Sequence, residues 1–336
     1  MAFYKRIKDY KDFEFIDGTT FPYPDKKSKI AQNLRRLRND IRAQITRQKH
    51  DSLVIGSWNI QNFDNGLPRL DESYHYIAEV IDHFDICAIQ EVNDDLSGLV
   101  RVTKLLGPHW DYFVSDVTLG DGGNSERMAF VYNTNKVFFR NLIGEVIPEG
   151  DTIARNPFFA SFQAGWFRFT LCSSHVTFDG NLNKRRAEIL AVSNVLEKRA
   201  SKQRDVFIFL GDMNIKENDD TVFQQMRANG WDVRDFENTT TGKSSSAYDK
   251  INFTKDVNRV EHLNHGKYDW RNSVFREQDK SFYETIKFAQ RGKGFGDHHM
   301  SDYRHWYSLE MSDHFPIWLE LETDYSDAYL EEIENG

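Results

Sequence analysis

The run Val206-Phe207-Ile208-Phe209-Leu210 is apolar at every position. A strand turns alternate side chains to opposite faces, so a run with no polar alternate must be covered on both sides. Leu53-Val54-Ile55-Gly56-Ser57-Trp58 and Asp85-Ile86-Cys87-Ala88-Ile89-Gln90 have a similar character. Further strands are expected at Tyr112 to Ser115, Arg127 to Tyr132, Val137 to Leu142, Ile251 to Phe253 and Phe315 to Leu321. Phe158 to Phe162 and Arg168 to Ser174 read as a hairpin around Gly165. Helical spacing of apolar residues occurs over Tyr74 to Phe84, Leu96 to Leu106, Arg185 to Ala200 and Thr221 to Asn229. That many short strands among so few helices speaks for two packed sheets with helices outside, not for a parallel βαβ fold.

The first 50 residues differ from the rest and are read as an N-terminal extension. Residues 11–25 are turn-rich, with Gly18, Pro22 and Pro24. Ile30, Leu34, Leu37, Ile41 and Ile45 then form one apolar stripe on a helix of about 20 residues, with arginines mostly on the other faces. Residues 26–49 hold nine Lys or Arg against one acid, in a chain of net charge −9. The expected role is a helix docked on the body with a solvated basic face, and the second reading is a phosphate-backbone contact surface. Residues 51–322 form the expected catalytic domain, and 323–336 an acidic tail. The total charge does not decide the substrate, because a metal can supply positive charge where phosphate docks. No apolar stretch approaches membrane-span length, and Met1-Ala2-Phe3-Tyr4-Lys5-Arg6 leads into charges rather than a signal core. Cys87 and Cys172 sit in apolar runs and read as buried free thiols, which points to the cytoplasm.

Four segments carry chemistry: Ser57-Trp58-Asn59-Ile60, Ala88-Ile89-Gln90-Glu91-Val92, Leu210-Gly211-Asp212-Met213-Asn214 and Met311-Ser312-Asp313-His314-Phe315-Pro316-Ile317. Each sets a polar group against an apolar run of strand type. Glu91, assisted by Asn59, offers hard oxygen donors suited to Mg²⁺ or Mn²⁺. Asp212 could orient and deprotonate a water while the Asn214 amide holds a phosphate oxygen. Asp-x-Asn on one strand would put both on one face. His175 and His314 are candidates for stabilising charge on phosphoryl oxygens, and Asp313 is a further candidate at the metal. His262, His265, His298, His299 and His305 read as surface residues.

These segments, in this order, resemble the motifs of the deoxyribonuclease I-like endonuclease/exonuclease/phosphatase superfamily over roughly residues 52–322. Trp58-Asn59-Ile60, Gln90-Glu91, Ser174-His175-Val176, Gly211-Asp212-Met213-Asn214, Tyr248-Asp249-Lys250-Ile251 and Ser312-Asp313-His314 carry the resemblance. It implies an α+β fold, a four-layer αββα sandwich of two mainly antiparallel sheets. It also implies that Glu126 supports His175, that Asp249 supports His314, and that Arg155 of Arg155-Asn156-Pro157 binds phosphate. The expected function is a divalent-metal-dependent nuclease acting on DNA. The alternatives are a phosphatase or phosphodiesterase acting on a small or lipid-linked phosphoester, and a catalytically silent binding module. Two departures bear on substrate. An insertion, residues 255–311, includes the basic, glycine-broken Arg291-Gly292-Lys293-Gly294-Phe295, where Arg291 and Lys293 are candidate substrate contacts. Small polar residues, Gly122-Gly123-Asn124-Ser125, stand where deoxyribonuclease I places a tyrosine.

Overall fold

The computed structural model describes residues 2–10, 13–14, 20–21, 23, 25–63, 69–118, 125–147, 153, 155–178, 180–203, 205–237, 239–242, 246–255, 260–291 and 302–335. After a short pairing of β1 (Phe13–Glu14) with β2 (Thr20–Phe21), the chain enters α1 (Lys26–Gln44). Two six-stranded sheets follow. In spatial order the first is β13 (His262–Lys267), β14 (Ile317–Leu321), β3 (Leu53–Phe63), β4 (Ile86–Asn93), β6 (Glu126–Asn133) and β5 (Trp110–Val114). The second is β11 (Trp231–Val233), β12 (Asp249–Thr254), β10 (Val206–Asp212), β9 (Phe167–His175), β8 (Phe158–Ala164) and β7 (Phe138–Glu145). Among the described residues, only β3 with β4 and β9 with β10 pair in parallel. The sheets are mainly antiparallel, as expected.

Alternation along the strands separates three cores. Leu53 and Ile55 of β3 face Leu171 of β9 and Ile208 and Leu210 of β10 between the sheets. Val54 and Trp58 turn outward, beneath α1, α2 (Asp71–Ile81) and α3 (Ser97–Leu106). Phe207 and Phe209 turn the other way, beneath α4 (Leu182–Gln203) and α5 (Thr221–Ala228). The result is the αββα sandwich. Cys87 and Cys172 are buried free thiols in opposite outer cores, and burial pushes both thiol pKa values up.

The stripe of α1 is fully packed, with Ile30, Leu37 and Ile41 at 0% exposure. Its cations are less solvated than a basic face would be. Lys26 reaches Asp71 at 2.7 Å, Lys29 reaches Asp279 at 2.7 Å and Arg38 reaches Glu79 at 2.8 Å. Arg47, just past the helix, holds Asp85 at 2.8 Å. These acids are largely buried, so each pairing answers a charge that would otherwise be costly inside the protein. Arg35 and Arg42 remain exposed.

The insertion is also packed. Trp270, Phe275, Tyr283 and Trp306 are buried in the core that α1 helps to form. It contributes β13, α6 (Lys280–Arg291) and α7 (Tyr303–Glu310). The Asn33 amide on α1 donates to the Tyr283 hydroxyl on α6 at 3.2 Å. β11, β13, α6, α7 and the tail helix α8 (Ser326–Asn335) were not among the expected elements. β13 reads His262-Leu263-Asn264-His265-Gly266-Lys267, an edge strand with little apolar alternation. Arg291 ends α6 but its side chain lies outside the described residues, as do Gly122 to Asn124 and the stretch containing Lys293, Phe295, His298 and His299. Among the described residues no helix is long and apolar enough to cross a membrane.

Because Leu37 is 0% exposed inside a contiguous core, Leu37→Ala should lower the unfolding free energy by about 2–5 kcal/mol. Urea denaturation followed by tryptophan fluorescence reads this directly. A change within error would mean that α1 is not part of the cooperative unit.

Candidate active site

Strand register builds one wall of the site. β9 pairs Asp212 with His175 and β12 pairs Asp212 with Asp249, so the three residues lie abreast on neighbouring strands. Along β10, Val206, Ile208 and Leu210 face the intersheet core. Continuing that alternation puts Asp212 on the same face, at the strand's end. The same count brings His175 inward after Phe169 and Leu171, and Asp249 inward ahead of Ile251 and Phe253. Gly211 makes this close pairing feasible: its φ is +125°, and a Cβ there would fall 2.0 Å from the Ser174 carbonyl oxygen.

The facing wall depends on an irregularity. Ile86 and Ala88 point between the sheets while Cys87 and Ile89 point outward, so simple alternation would turn Glu91 outward. Between Ile89 and Val92 the pairing with β6 gains one residue on β4, and Glu91 adopts φ +59°. The bulge turns its carboxylate toward Asn59 instead. Asn59 Nδ2 donates to Glu91 Oε1 at 2.9 Å and to Asp212 Oδ2 on the other sheet at 3.2 Å. The Asn62 amide donates to Glu91 Oε2 at 2.8 Å. Below, Gln90 Nε2 donates to Ser173 Oγ at 2.9 Å and ties the sheets together.

Each histidine is held by an acid. His175 Nδ1 lies 2.9 Å from Glu126 Oε2, and His314 Nδ1 lies 2.8 Å from Asp249 Oδ2. Their free Nε2 atoms converge on Asp212 Oδ2, at 3.8 Å and 3.7 Å. Burial alone would lower the His175 pKa, but the Glu126 hydrogen bond and the charges of Asp212 and Glu91 outweigh it and raise the value. For His314, burial is again overcome, by Asp249 and Asp212, and the pKa rises well above that of a free imidazole. Asp212 is itself raised, by burial first and by the Asp249 charge, with both histidines pulling the other way. A raised carboxylate between two imidazoles is suited to exchanging protons with a water.

The remaining candidates fall in different places. Arg155 Nη2 lies 3.5 Å from Glu126 Oε1 and Arg155 Nη1 donates to the His175 carbonyl at 3.4 Å, so this buried arginine braces the Glu126–His175 pair. Asn214 is not on the strand with Asp212. β10 stops at Asp212, and Asn214 takes φ +49° in the following turn. Its amide donates to the Val176 carbonyl at 2.7 Å and its backbone N–H donates to Asp212 Oδ1 at 2.9 Å. The expectation that one strand face presents both residues therefore fails, because the positive φ ends the alternation. Asp313 lines a separate pocket of about 160 Å³ with Trp270, Arg271, Arg304 and Tyr307. Its charge helps to raise His314.

Several supporting contacts could not be read from the sequence. Ser312 Oγ donates to the Asn59 carbonyl at 2.6 Å and accepts from the His314 amide at 2.9 Å. Trp58 Nε1 donates to the His314 carbonyl at 3.0 Å, and Thr240 Oγ1 donates to Asp249 Oδ2 at 2.5 Å. Ser312 and Trp58 sit inside quoted motifs, but only the packed structure shows what they bond.

The donor set fits a hard, mostly hydrated cation. Asn59 Oδ1 is buried with no hydrogen-bond partner, beside Glu91. Flipping the amide would aim that oxygen at two carboxylates, so the orientation is fixed by its neighbours. Among the described residues no three His, Cys, Asp or Glu side chains gather as a closed cage. Mg²⁺ keeps several waters and needs few protein ligands; Glu91 can supply a carboxylate and Asn59 an amide oxygen.

An αββα sandwich with acid-braced imidazoles and oxygen donors at one end of its sheets is the architecture of a phosphoester hydrolase. A family model described as Endonuclease/Exonuclease/phosphatase family matches residues 56–314, and the chain belongs to that family. It is 28% identical to mouse (Mus musculus) deoxyribonuclease-1-like 2 over 216 residues, covering 60% of this chain and 76% of the relative. It is 28% identical over 181 residues to a deoxyribonuclease of Thioalkalivibrio sp., covering 50% of this chain and 48% of that relative. Among solved structures, an endonuclease/exonuclease/phosphatase family protein from Bacteroides thetaiotaomicron superposes with a TM-score of 0.55 at 18% identity, covering 82% of this chain and 99% of that one. D. rerio TDP2 complexed with single strand DNA product gives 0.54 at 14% identity, covering 81% and 99%. Both structural likenesses concern the fold.

The raised His314 pKa gives a signed expectation. Stabilisation from the His314–Asp249 pair is complete below the unfolded imidazole value of about 6.5 and is lost as pH rises through the folded value. Asp249→Asn removes the largest of the three raising charges, those of Asp249, Asp212 and Asp313. Proton NMR titration of His314 in chelator should then show its pKa displaced downward, and the stability gained on acidification through that range should shrink. An unmoved titration would mean that Asp249 does not set the charge of this histidine.

Proposed function

We propose that this protein is a divalent-metal-dependent phosphodiesterase that hydrolyses nucleic acid, DNA first, by in-line attack of water. The observation that supports this best is the row His175–Asp212–Asp249 facing Glu91–Asn59 across the sheets. A phosphodiester in that cleft would meet acid–base groups on one side and oxygen donors for a cation on the other. The deoxyribonuclease relatives favour DNA.

Asp212, with its raised pKa, would take the proton of the attacking water. His175 and His314, whose charged forms the neighbouring carboxylates favour, would donate Nε2–H bonds to phosphoryl oxygens as charge accumulates there. Glu126 and Asp249 hold the two rings with Nε2 facing Asp212. The Asn214 amide spends one N–H on Val176, leaving the second for a phosphate oxygen. Mg²⁺ or Mn²⁺ held by Glu91 and Asn59 would offset charge on the leaving oxygen. The buried free thiols favour a reducing, cytoplasmic setting.

The test is a substrate panel of plasmid, linear single strands, RNA and inositol phosphates, with Mg²⁺ or Mn²⁺ and with EDTA. DNA should be cut, and EDTA should abolish cutting. Glu91→Gln should lose most metal affinity. His175→Ala, His314→Ala and Asp212→Asn should each slow the single-turnover step by on the order of 10²-fold or more. Full turnover in EDTA would remove the metal from the mechanism. Cleavage of small phosphoesters alone would move the function to a phosphatase.

A further inference from the structure

The row His175, Asp212, Asp249 stands at one end of its three strands, and the residues that follow or precede it in the chain border the cleft. Two of them are aromatic. Phe178, three residues past His175, is 63% exposed, although the strand leading to it is buried throughout its last seven residues. Tyr248, adjacent to Asp249, is half-buried, and its ring centroid lies 6.4 Å from that of Phe178 at an interplanar angle of 60°. The Asn214 amide holds the Val176 carbonyl on one side, and the Met213 N–H donates to the Tyr248 carbonyl on the other. Both aromatic positions are therefore anchored to the turn that follows Asp212.

Behind Phe178 stands Arg185 of α4. Its guanidinium carbon lies 4.6 Å from the ring centroid, and the residue is only 8% exposed. Arg185 Nε and Nη1 are buried without hydrogen-bond partners, so the ring contact is a main interaction of this side of the cation. A single exposed apolar side chain needs no explanation on an ordinary surface. Here a buried arginine stacks on one, at the edge of a catalytic row, where a substrate must pass. A ring fixed from behind loses little freedom on binding, which is what a stacking contact needs.

We propose that Phe178, stiffened by Arg185 and flanked by Tyr248, is a stacking subsite for the nucleobase next to the scissile phosphate. The proposal rests on the nucleic-acid reading above and adds a substrate form. A base inside a duplex is already stacked on its neighbours, so this subsite takes a base from a single strand or an opened end. Base–aromatic stacking tolerates every base, so it confers strand preference without sequence preference.

Single-turnover cleavage of one oligonucleotide, single-stranded and as a duplex, tests this in wild type, Phe178→Ala and Phe178→Trp. Phe178→Ala should raise the half-saturating protein concentration for the single strand by on the order of 5- to 150-fold. The loss in saturating rate should be smaller, and Phe178→Trp should restore binding. An abasic residue beside the scissile bond should weaken wild-type binding and add nothing further in Phe178→Ala. Since Phe178 is exposed, the variant's thermal unfolding should match wild type. Wild-type cleavage with Phe178→Ala unchanged, or abasic and Phe178→Ala losses that simply multiply, would overturn the subsite while leaving the nuclease reading intact. A wild type that neither binds nor cuts any nucleic acid overturns both.

Discussion

One amide sits between the two carboxylates on which the site turns. Asn59 Nδ2 bonds Glu91 on its own sheet and Asp212 on the other, so it fixes the distance between the oxygen donors and the acid–base row. Without it, the two carboxylates would share only the more distant His175 Nε2, 3.9 Å from Glu91 and 3.8 Å from Asp212, and leaving them so poorly partnered is costly in a low-dielectric setting. The same cleft holds Asp249 and Glu126, and its two imidazoles carry the compensating charge. The acid excess thus raises both histidines and creates demand for a cation at the unpartnered Asn59 oxygen. Catalytic poise and metal affinity have a common electrostatic origin here.

The position of that amide is secured from behind. Ser312 Oγ donates to the Asn59 carbonyl and Trp58 Nε1 to the His314 carbonyl, so β3 and the segment entering β14 are stitched together at the site. Behind Trp58 lies the core formed with α1 and the insertion. Lys29 and Arg36 on α1 both reach Asp279 of the insertion, while Glu310 at the end of α7 accepts from Leu70 N and Ser73 Oγ. The N-terminal helix ahead of the family match and the insertion within it thereby form one buttress under the strand that carries Asn59. Their charges serve that packing first, which leaves Lys27, Arg35 and Arg42 as the exposed basic positions of α1.

How far the sequence could be read follows from how regular each element is. The apolar run of β10 sets the face of Asp212 by simple alternation, and the same rule serves His175 and Asp249. It fails at Glu91 and Asn214, where positive φ breaks the count. There the family resemblance identifies the residues, and the backbone alone explains their direction. The stripe of α1 is legible because its period is helical. Its ion pairs are not, because Asp71, Glu79, Asp85 and Asp279 lie far along the chain. The insertion hid its strand and helices because β13 is a polar edge and the aromatics of α6 and α7 pack on one another rather than follow a clean stripe.

Four of the eight non-glycine residues with positive φ among the described residues lie at or near the site. Asn62, Glu91, Ser125 and Asn214 all adopt positive φ without being glycine, and each lies within a residue or a few of a group that faces the cleft. Each such conformation costs of order 1–3 kcal/mol and persists only when the surroundings over-determine it. The surroundings here are two sheets with fully apolar strands such as β10, pinned to each other through Gln90 and Ser173 directly beneath the site. A rigid, doubly covered sheet allows its strand ends to depart from regular geometry, and those departures turn Glu91 inward. The apolar run at Val206 to Leu210 and the polar site beyond it are consequences of one arrangement: the more completely the strand is buried, the more firmly its last residue is aimed.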